Sequence, residues 1–85
     1  MEDYVLNEMK QILKNAIKDE NSSRERFLRG AEIALTEEIK ELFRILAEEE
    51  NRHIEKLNII LKALEEGRLG EIKPDIALRG LSDQN

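Results

Sequence analysis

The sequence predicts an all-α fold: an antiparallel two-helix hairpin that dimerises into a four-helix bundle. Apolar residues recur at helical spacing along two long stretches, a Thr-Glu-Glu segment separates the stretches, and glycine and proline are scarce before residue 67. With 85 residues, 39% of them charged and 4% aromatic, one hairpin has little bulky apolar material for an isolated core. A second copy of the chain is therefore expected to complete the burial.

The first stretch carries one stripe of residues in alternating steps of mostly three and four. Its members are Met9, Leu13, Ala16, Glu20, Ser23, Phe27, Ala31 and Ala34. Gly30 is the one residue that favours an earlier end, because glycine inside a helix costs about 1 kcal/mol relative to alanine. The periodicity continues through the segment AEIAL that follows it, so we expect the first helix to continue to about Ala34.

The second stretch carries an equivalent stripe between recognisable ends. Its members are Ile39, Phe43, Leu46, Glu50, His53, Leu57, Ile60 and Leu64. Thr36, followed by Glu37 and Glu38, predicts an N-cap with acidic residues in the first turn. Gly67 predicts the C-terminal end of a helix of about thirty residues.

Further apolar residues flank both stripes, which makes each stripe wider than the seam of one hairpin requires. They are Leu6, Ile12, Ile17 and Leu28 in the first stretch and Leu42, Ile45, Ile54 and Leu61 in the second. This excess predicts the dimer. Residues 1–66 therefore form the hairpin domain, and residues 67–85, with the only proline and a polar end, are expected to be a flexible tail.

Charge and composition exclude several classes of function. A net charge of −5 argues against a nucleic-acid partner, since phosphate binding needs a basic face, and an acidic surface attracts cations instead. The absence of cysteine excludes disulfides, thiolate metal sites and iron–sulfur clusters. The acidic start does not resemble a signal peptide, and the longest apolar patch, residues 57–64, is too short for a membrane span. We expect a cytoplasmic protein without a membrane partner.

The stripes contain three ionisable residues: Glu20 on the first helix, and Glu50 with His53 on the second. Buried carboxylates usually pair or bind metal, because an unpaired one is costly. The Glu-x-x-His pattern is a weak signal alone in a glutamate-rich chain. Two structural interpretations therefore stay open, a local Glu50–His53 ion pair and a polar cluster that binds nothing.

The register of the hairpin strengthens the metal interpretation. If the turn is centred near Leu35, Glu20 and Glu50 both lie about 22 Å from it on facing stripes, with His53 one turn further along. Carboxylates with one imidazole and no thiolate suit iron or manganese. Di-iron bundles take a Glu from each of two helices and a Glu-x-x-His from each of two others, so this chain carries half a set. A two-fold axis would supply the other half.

The segments DENSSRERFLRGAEIA and EEIKELFRILAEEENRHIEKL resemble the first two helices of rubrerythrin and other ferritin-like proteins over residues 5–66. The shared features are the first-helix glutamate, an aromatic residue seven positions later (Phe27, where tyrosine is common) and the Glu-x-x-His helix. A complete rubrerythrin-type domain has four helices in one chain, often with a cysteine-ligated rubredoxin module. Here the second helix pair and the cysteines are missing, which argues against rubrerythrin's peroxidase chemistry.

The chain is also similar to encapsulated ferritin, whose two-helix chains dimerise around a di-iron ferroxidase centre. This resemblance implies iron as cofactor, two per dimer, with manganese the other candidate metal, and Glu20, Glu50 and His53 as catalytic and metal-binding residues. It further implies a homodimer that assembles into a decamer inside an encapsulin shell. Residues 76–81 (IALRGL) resemble the peptide that targets such cargo; the alternative is that residues 72–81 pack on their own bundle. Other candidate functions are a non-catalytic iron-binding or delivery module, a rubrerythrin-like peroxide-detoxifying protein and a structural dimerisation module.

Overall fold

The computed structural model describes residues 2–67, which form two α-helices packed against each other as an antiparallel hairpin. Helix α1 spans Glu2–Ile33 and helix α2 spans Glu37–Glu65, and these described residues include no strand. This confirms the predicted hairpin, with α1 ending one residue before the expected position. Apart from Gly67, the predicted tail lies outside the described residues. Neither helix is long and apolar enough to cross a bilayer.

Both ends of α2 have the capping geometry that the sequence predicts. Thr36 is extended, with φ −129° and ψ 155°, and its hydroxyl oxygen accepts a hydrogen bond of 3.2 Å from the backbone N–H of Ile39. At the other end, the backbone N–H of Glu66 donates to the carbonyl of Lys62 at 2.9 Å. Gly67 then takes φ +71°, a conformation that glycine adopts without a steric penalty.

The seam between the helices is lined by small side chains. The buried apolar residues of the described chain are Ala31, Ala47, Ala63 and Leu64. Three of the four are alanines, which allow the helix backbones to approach closely. The seam is rotated relative to the predicted stripes: Ala47 lies outside them but is buried, whereas Met9, Ile39 and Leu46 lie within them but are 39%, 45% and 38% exposed. Each apolar surface is wide, and the hairpin covers only one edge of it.

The uncovered edges of the two helices lie on the same side of the hairpin. The exposed apolar residues there are Val5, Met9 and Ile12 on α1 and Ile39, Leu42 and Leu46 on α2. At about 100° per residue, all of them lie within about 80° of Glu20 or Glu50 and are displaced in the same rotational direction around their own helix. We call these six residues the open face. Exposed apolar surface beyond scattered single residues marks an interaction site, and the burial of these six residues in a dimer is a prediction.

Gly30 lies inside α1, and the packing of α2 against this position explains why it has no side chain. A Cβ atom built at this position would lie 2.7 to 2.8 Å from three ring atoms of Phe43. Real Cβ contacts are never this short, so the missing side chain makes room for the ring. The glycine marks close packing of the two helices near the turn.

Replacing Gly30 by alanine is expected to destabilise the hairpin, although alanine is the better helix former. The gain in helix propensity is about 1 kcal/mol, and overpacking against Phe43 costs about 1–3 kcal/mol. Thermal unfolding followed by circular dichroism should show a lower midpoint. The exposed Ser22→Ala serves as control for propensity alone and should not lower it. A raised midpoint for Gly30→Ala would show that the ring moves aside freely.

Candidate metal centre

The hairpin brings Glu20, Glu50 and His53 together in one cluster. Their candidate ligand atoms, one from each residue, all lie within 4.8 Å of one another. The closest contact is between Nδ1 of His53 and Oε2 of Glu20, at 2.8 Å across the seam. These are the three residues that the sequence predicts as ligands, and the structure places all of them at one level of the hairpin.

Helix geometry explains how the cluster forms. Glu50 and His53 are three residues apart, so that their side chains lie one turn apart on neighbouring parts of the α2 surface. The short connection between the helices sets Glu20 opposite them. Glu20 is half-buried, with 28% of its side chain exposed, whereas His53 is 47% exposed. The cluster is therefore covered towards the seam and accessible from the open face.

Glu50 contributes an oxygen without a partner to the cluster. Its Oε2 atom is buried and accepts no hydrogen bond. A buried carboxylate oxygen without a partner costs free energy, so an atom of this kind needs an explanation. A cation bound between the three side chains would supply the missing partner.

The two carboxyl groups shift each other's pKa in opposite directions. The hydrogen bond between them raises the pKa of Glu50, and burial and the negative charge of Glu20 raise it further. The same hydrogen bond lowers the pKa of Glu20, and the contact with His53 lowers it too, while burial opposes this shift. Two carboxylates this close cannot both ionise freely without a cation between them.

The donor set fits a first-row divalent cation. Bonds of about 2.1 Å to a central ion allow its ligand atoms to lie up to about 4.2 Å apart, so the observed spread needs only a small side-chain adjustment. Two carboxylates and one imidazole favour iron or manganese over structural zinc. Three ligands leave coordination positions unfilled, and a di-iron centre of the bundle type uses four carboxylates and two imidazoles. One hairpin thus carries half the number of donor groups that such a centre uses.

Because metal and proton compete for Glu50, metal affinity should depend on pH. Below the raised pKa of Glu50 its carboxyl is protonated and a cation must displace the proton; above it the carboxylate is free to bind. The dissociation constant for Fe(II), measured anaerobically, should therefore rise as pH falls through that pKa. Glu48→Gln, which removes an exposed acid that does not contribute to this shift, should keep the same profile. An affinity independent of pH would show that Glu50 is not a ligand.

One polar contact beside the cluster was not predicted from the sequence. Arg24 donates a hydrogen bond of 2.9 Å from Nη1 to Oδ1 of Asn51, connecting the two helices. Neither residue belongs to the predicted stripes. The available signal was their position, since Arg24 follows Glu20 by four residues and Asn51 lies between Glu50 and His53.

Comparison with known families gives one match. Residues 11–77 match the family model described as Rubrerythrin. The matched span covers most of the 85 residues and includes all three residues of the cluster. Comparisons with curated proteins and with solved structures give no match.

Proposed function

The chain belongs to the rubrerythrin family, and on that premise we propose that two copies of it form a di-iron ferroxidase that oxidises Fe(II) to Fe(III) for storage. Membership of the family implies iron binding. The observation that carries the proposal is the convergence of Glu20, Glu50 and His53 within 4.8 Å, beside an apolar face. A hairpin that bound nothing would have little reason to hold a half-buried acid pair at this position.

The centre is completed by a second copy related by a two-fold axis. Apposition of two open faces would bury their apolar residues and bring two clusters together, giving four carboxylates and two imidazoles. This is the ligand set of a dinuclear carboxylate site. The exposure of His53 in the single hairpin supports this arrangement, because the imidazole already faces the side on which the second copy would lie.

Each ligand has a distinct task in the proposed centre. Glu50 would release its proton on binding and hold iron through its carboxylate, Glu20 would supply a second carboxylate, and His53 would supply a terminal nitrogen. A pair of Fe(II) substrate ions supplies two electrons, which reduce one O₂ with two protons to hydrogen peroxide. Carboxylates stabilise the higher charge of Fe(III), and they can change between one and two bonding oxygens as the charge changes.

Oxygen uptake after addition of Fe(II) tests this function. The metal-free protein should accelerate Fe(III) formation well above the buffer rate, with one O₂ consumed for two Fe(II). Iron binding without acceleration would instead support the non-catalytic delivery module. Slow reaction with O₂ but rapid oxidation by hydrogen peroxide would support the rubrerythrin-like peroxide function. Absence of iron binding would refute the proposal and leave a structural module.

We further propose that the dimers assemble into a decamer inside an encapsulin shell, with residues 76–81 as the targeting peptide. The support is the resemblance of IALRGL to such peptides; this segment lies outside the described residues. A chain truncated after Gly67 should lose co-purification with a co-expressed encapsulin shell while keeping Fe(II) oxidation. Equal co-purification of the truncated and full-length chains would contradict the assignment.

A further inference from the structure

The hydrogen bond between Arg24 and Asn51 leaves the arginine poorly compensated. Its Nε atom is buried and has no hydrogen-bond partner. Its Nη2 atom lies 3.4 Å from a carboxylate oxygen of Glu25, a side chain that is 69% exposed, and an exposed ion pair of this kind contributes little. A half-buried guanidinium with an unsatisfied nitrogen is costly, so stability alone does not explain its presence.

The bond is placed where it controls the metal centre. Arg24 lies one turn beyond Glu20 on α1. Asn51 lies between Glu50 and His53. The bond therefore connects the α2 turn that carries these two residues to α1, one turn from Glu20. Around α2, Asn51 and His53 leave Glu50 in opposite directions, by about 100° and 60°. The Arg24–Asn51 bond and the His53–Glu20 contact therefore cross the seam on either side of Glu50.

Among the described residues, no large side chain near the cluster is fully buried in the seam, and the close fit of Phe43 against Gly30 lies nearer the turn. Ala47, one turn before Glu50, presents only a methyl group, and none of the described residues contributes a fully buried polar side chain. A slip of one residue would move Glu50 about 1.5 Å along Glu20, whereas metal ligands must be held within about 0.5 Å. Polar groups between helices are known to set register at a cost in stability.

We propose that Arg24, acting through Asn51, is a positioning residue of the metal centre: their hydrogen bond sets the register at which Glu50 and His53 meet Glu20. This inference rests on the proposed function insofar as these three residues bind metal. A positioning role affects metal affinity but not the stability of the metal-free hairpin, whereas a purely structural role would change both. Removal of the guanidinium should weaken metal binding without lowering the stability of the metal-free hairpin.

The test is a titration of the full chain with Co(II), whose visible absorption reports both affinity and ligand geometry. Arg24→Met and Asn51→Ala should each weaken binding by about 10-fold and change the spectrum. The double variant should bind about as weakly as either single variant, because both remove the same bond. Arg29→Met is the matched control: it also removes one positive charge, from a side chain that is 70% exposed and paired only with Glu32 on its own helix. It should bind like the wild type.

Thermal unfolding of the metal-free variants completes the experiment, and Arg24→Met should unfold no earlier than the wild type. Wild-type affinity and spectrum in Arg24→Met would overturn the inference, whatever its stability. If Arg24→Met does not fold, Arg24→Lys decides, since lysine keeps the charge but lacks the guanidinium fork; binding several-fold weaker than wild type is expected, and unchanged binding refutes the inference. Failure of the wild type to bind Co(II) would refute the proposed function and, with it, this inference.

Discussion

Replacing Glu50 by alanine is expected to lower the rate of Fe(II) oxidation by more than about 100-fold, because even the outer partners of metal ligands contribute about 10–100-fold. His53→Ala should have a similar effect. Stopped-flow absorbance of Fe(III) measures the rate, and circular dichroism measures the helices. The helices should stay intact, since alanine is the best helix former and Glu50→Ala also removes a buried oxygen without a partner.

The control for this loss is Glu49→Ala, which removes the exposed acid next to Glu50 and should keep wild-type activity. The comparison separates a ligand from general attraction of cations by an acidic helix. Full activity in either Glu50→Ala or His53→Ala would show that the ligand assignment is wrong.

Replacing Leu46 by glutamate should abolish both dimerisation and oxidation. Leu46 belongs to the open face, four residues before Glu50, and a two-fold partner would bury two new carboxylates near each other. Burying an unpaired polar group costs at least about 3 kcal/mol, which corresponds to a dimer dissociation constant more than about 100-fold higher. Sedimentation analysis should show a single hairpin, and oxygen uptake should fall to the buffer rate.

Ile59→Glu is the matched control, because the same substitution is made at another exposed apolar residue of α2. Ile59 is 64% exposed and lies two and a half turns from Glu50, on the opposite side of the helix. It should leave the dimer and its activity unchanged. If instead Leu46→Glu stays dimeric and active while Ile59→Glu does not, the interface lies on the outer side of α2.

Much of the hairpin follows from local patterns that need no knowledge of the partner helix. The capping residue Thr36 and the left-handed Gly67 each act within a few residues of the chain, and so the ends of α2 were predictable. The level shared by Glu20 and Glu50 follows from the nearly equal number of residues on each side of a short turn. Rise per residue is constant in a helix, so counting suffices.

What the sequence did not predict depends on side chains meeting across the seam. In the sequence, Gly30 only weakens the first helix. The structure shows that the missing side chain makes room for the ring of Phe43. The stripes include Leu46 but not Ala47, because apolar surface wider than the seam does not indicate which edge is covered. In the sequence, nothing distinguishes Arg24 from the other basic residues; its hydrogen bond to Asn51 is seen only in the structure. The role of the cluster as metal ligand stays a prediction that experiment must test.

In the proposed dimer, one hairpin holds half of a dinuclear centre and a second copy completes it. The most direct measurement is native mass spectrometry during anaerobic titration with Fe(II), with elemental analysis of the separated species. We expect dimers to take up two ions each, single hairpins to carry almost none, and iron to shift the population towards the dimer. Single hairpins that bind iron as tightly as the dimer, or dimers that bind none, would contradict it.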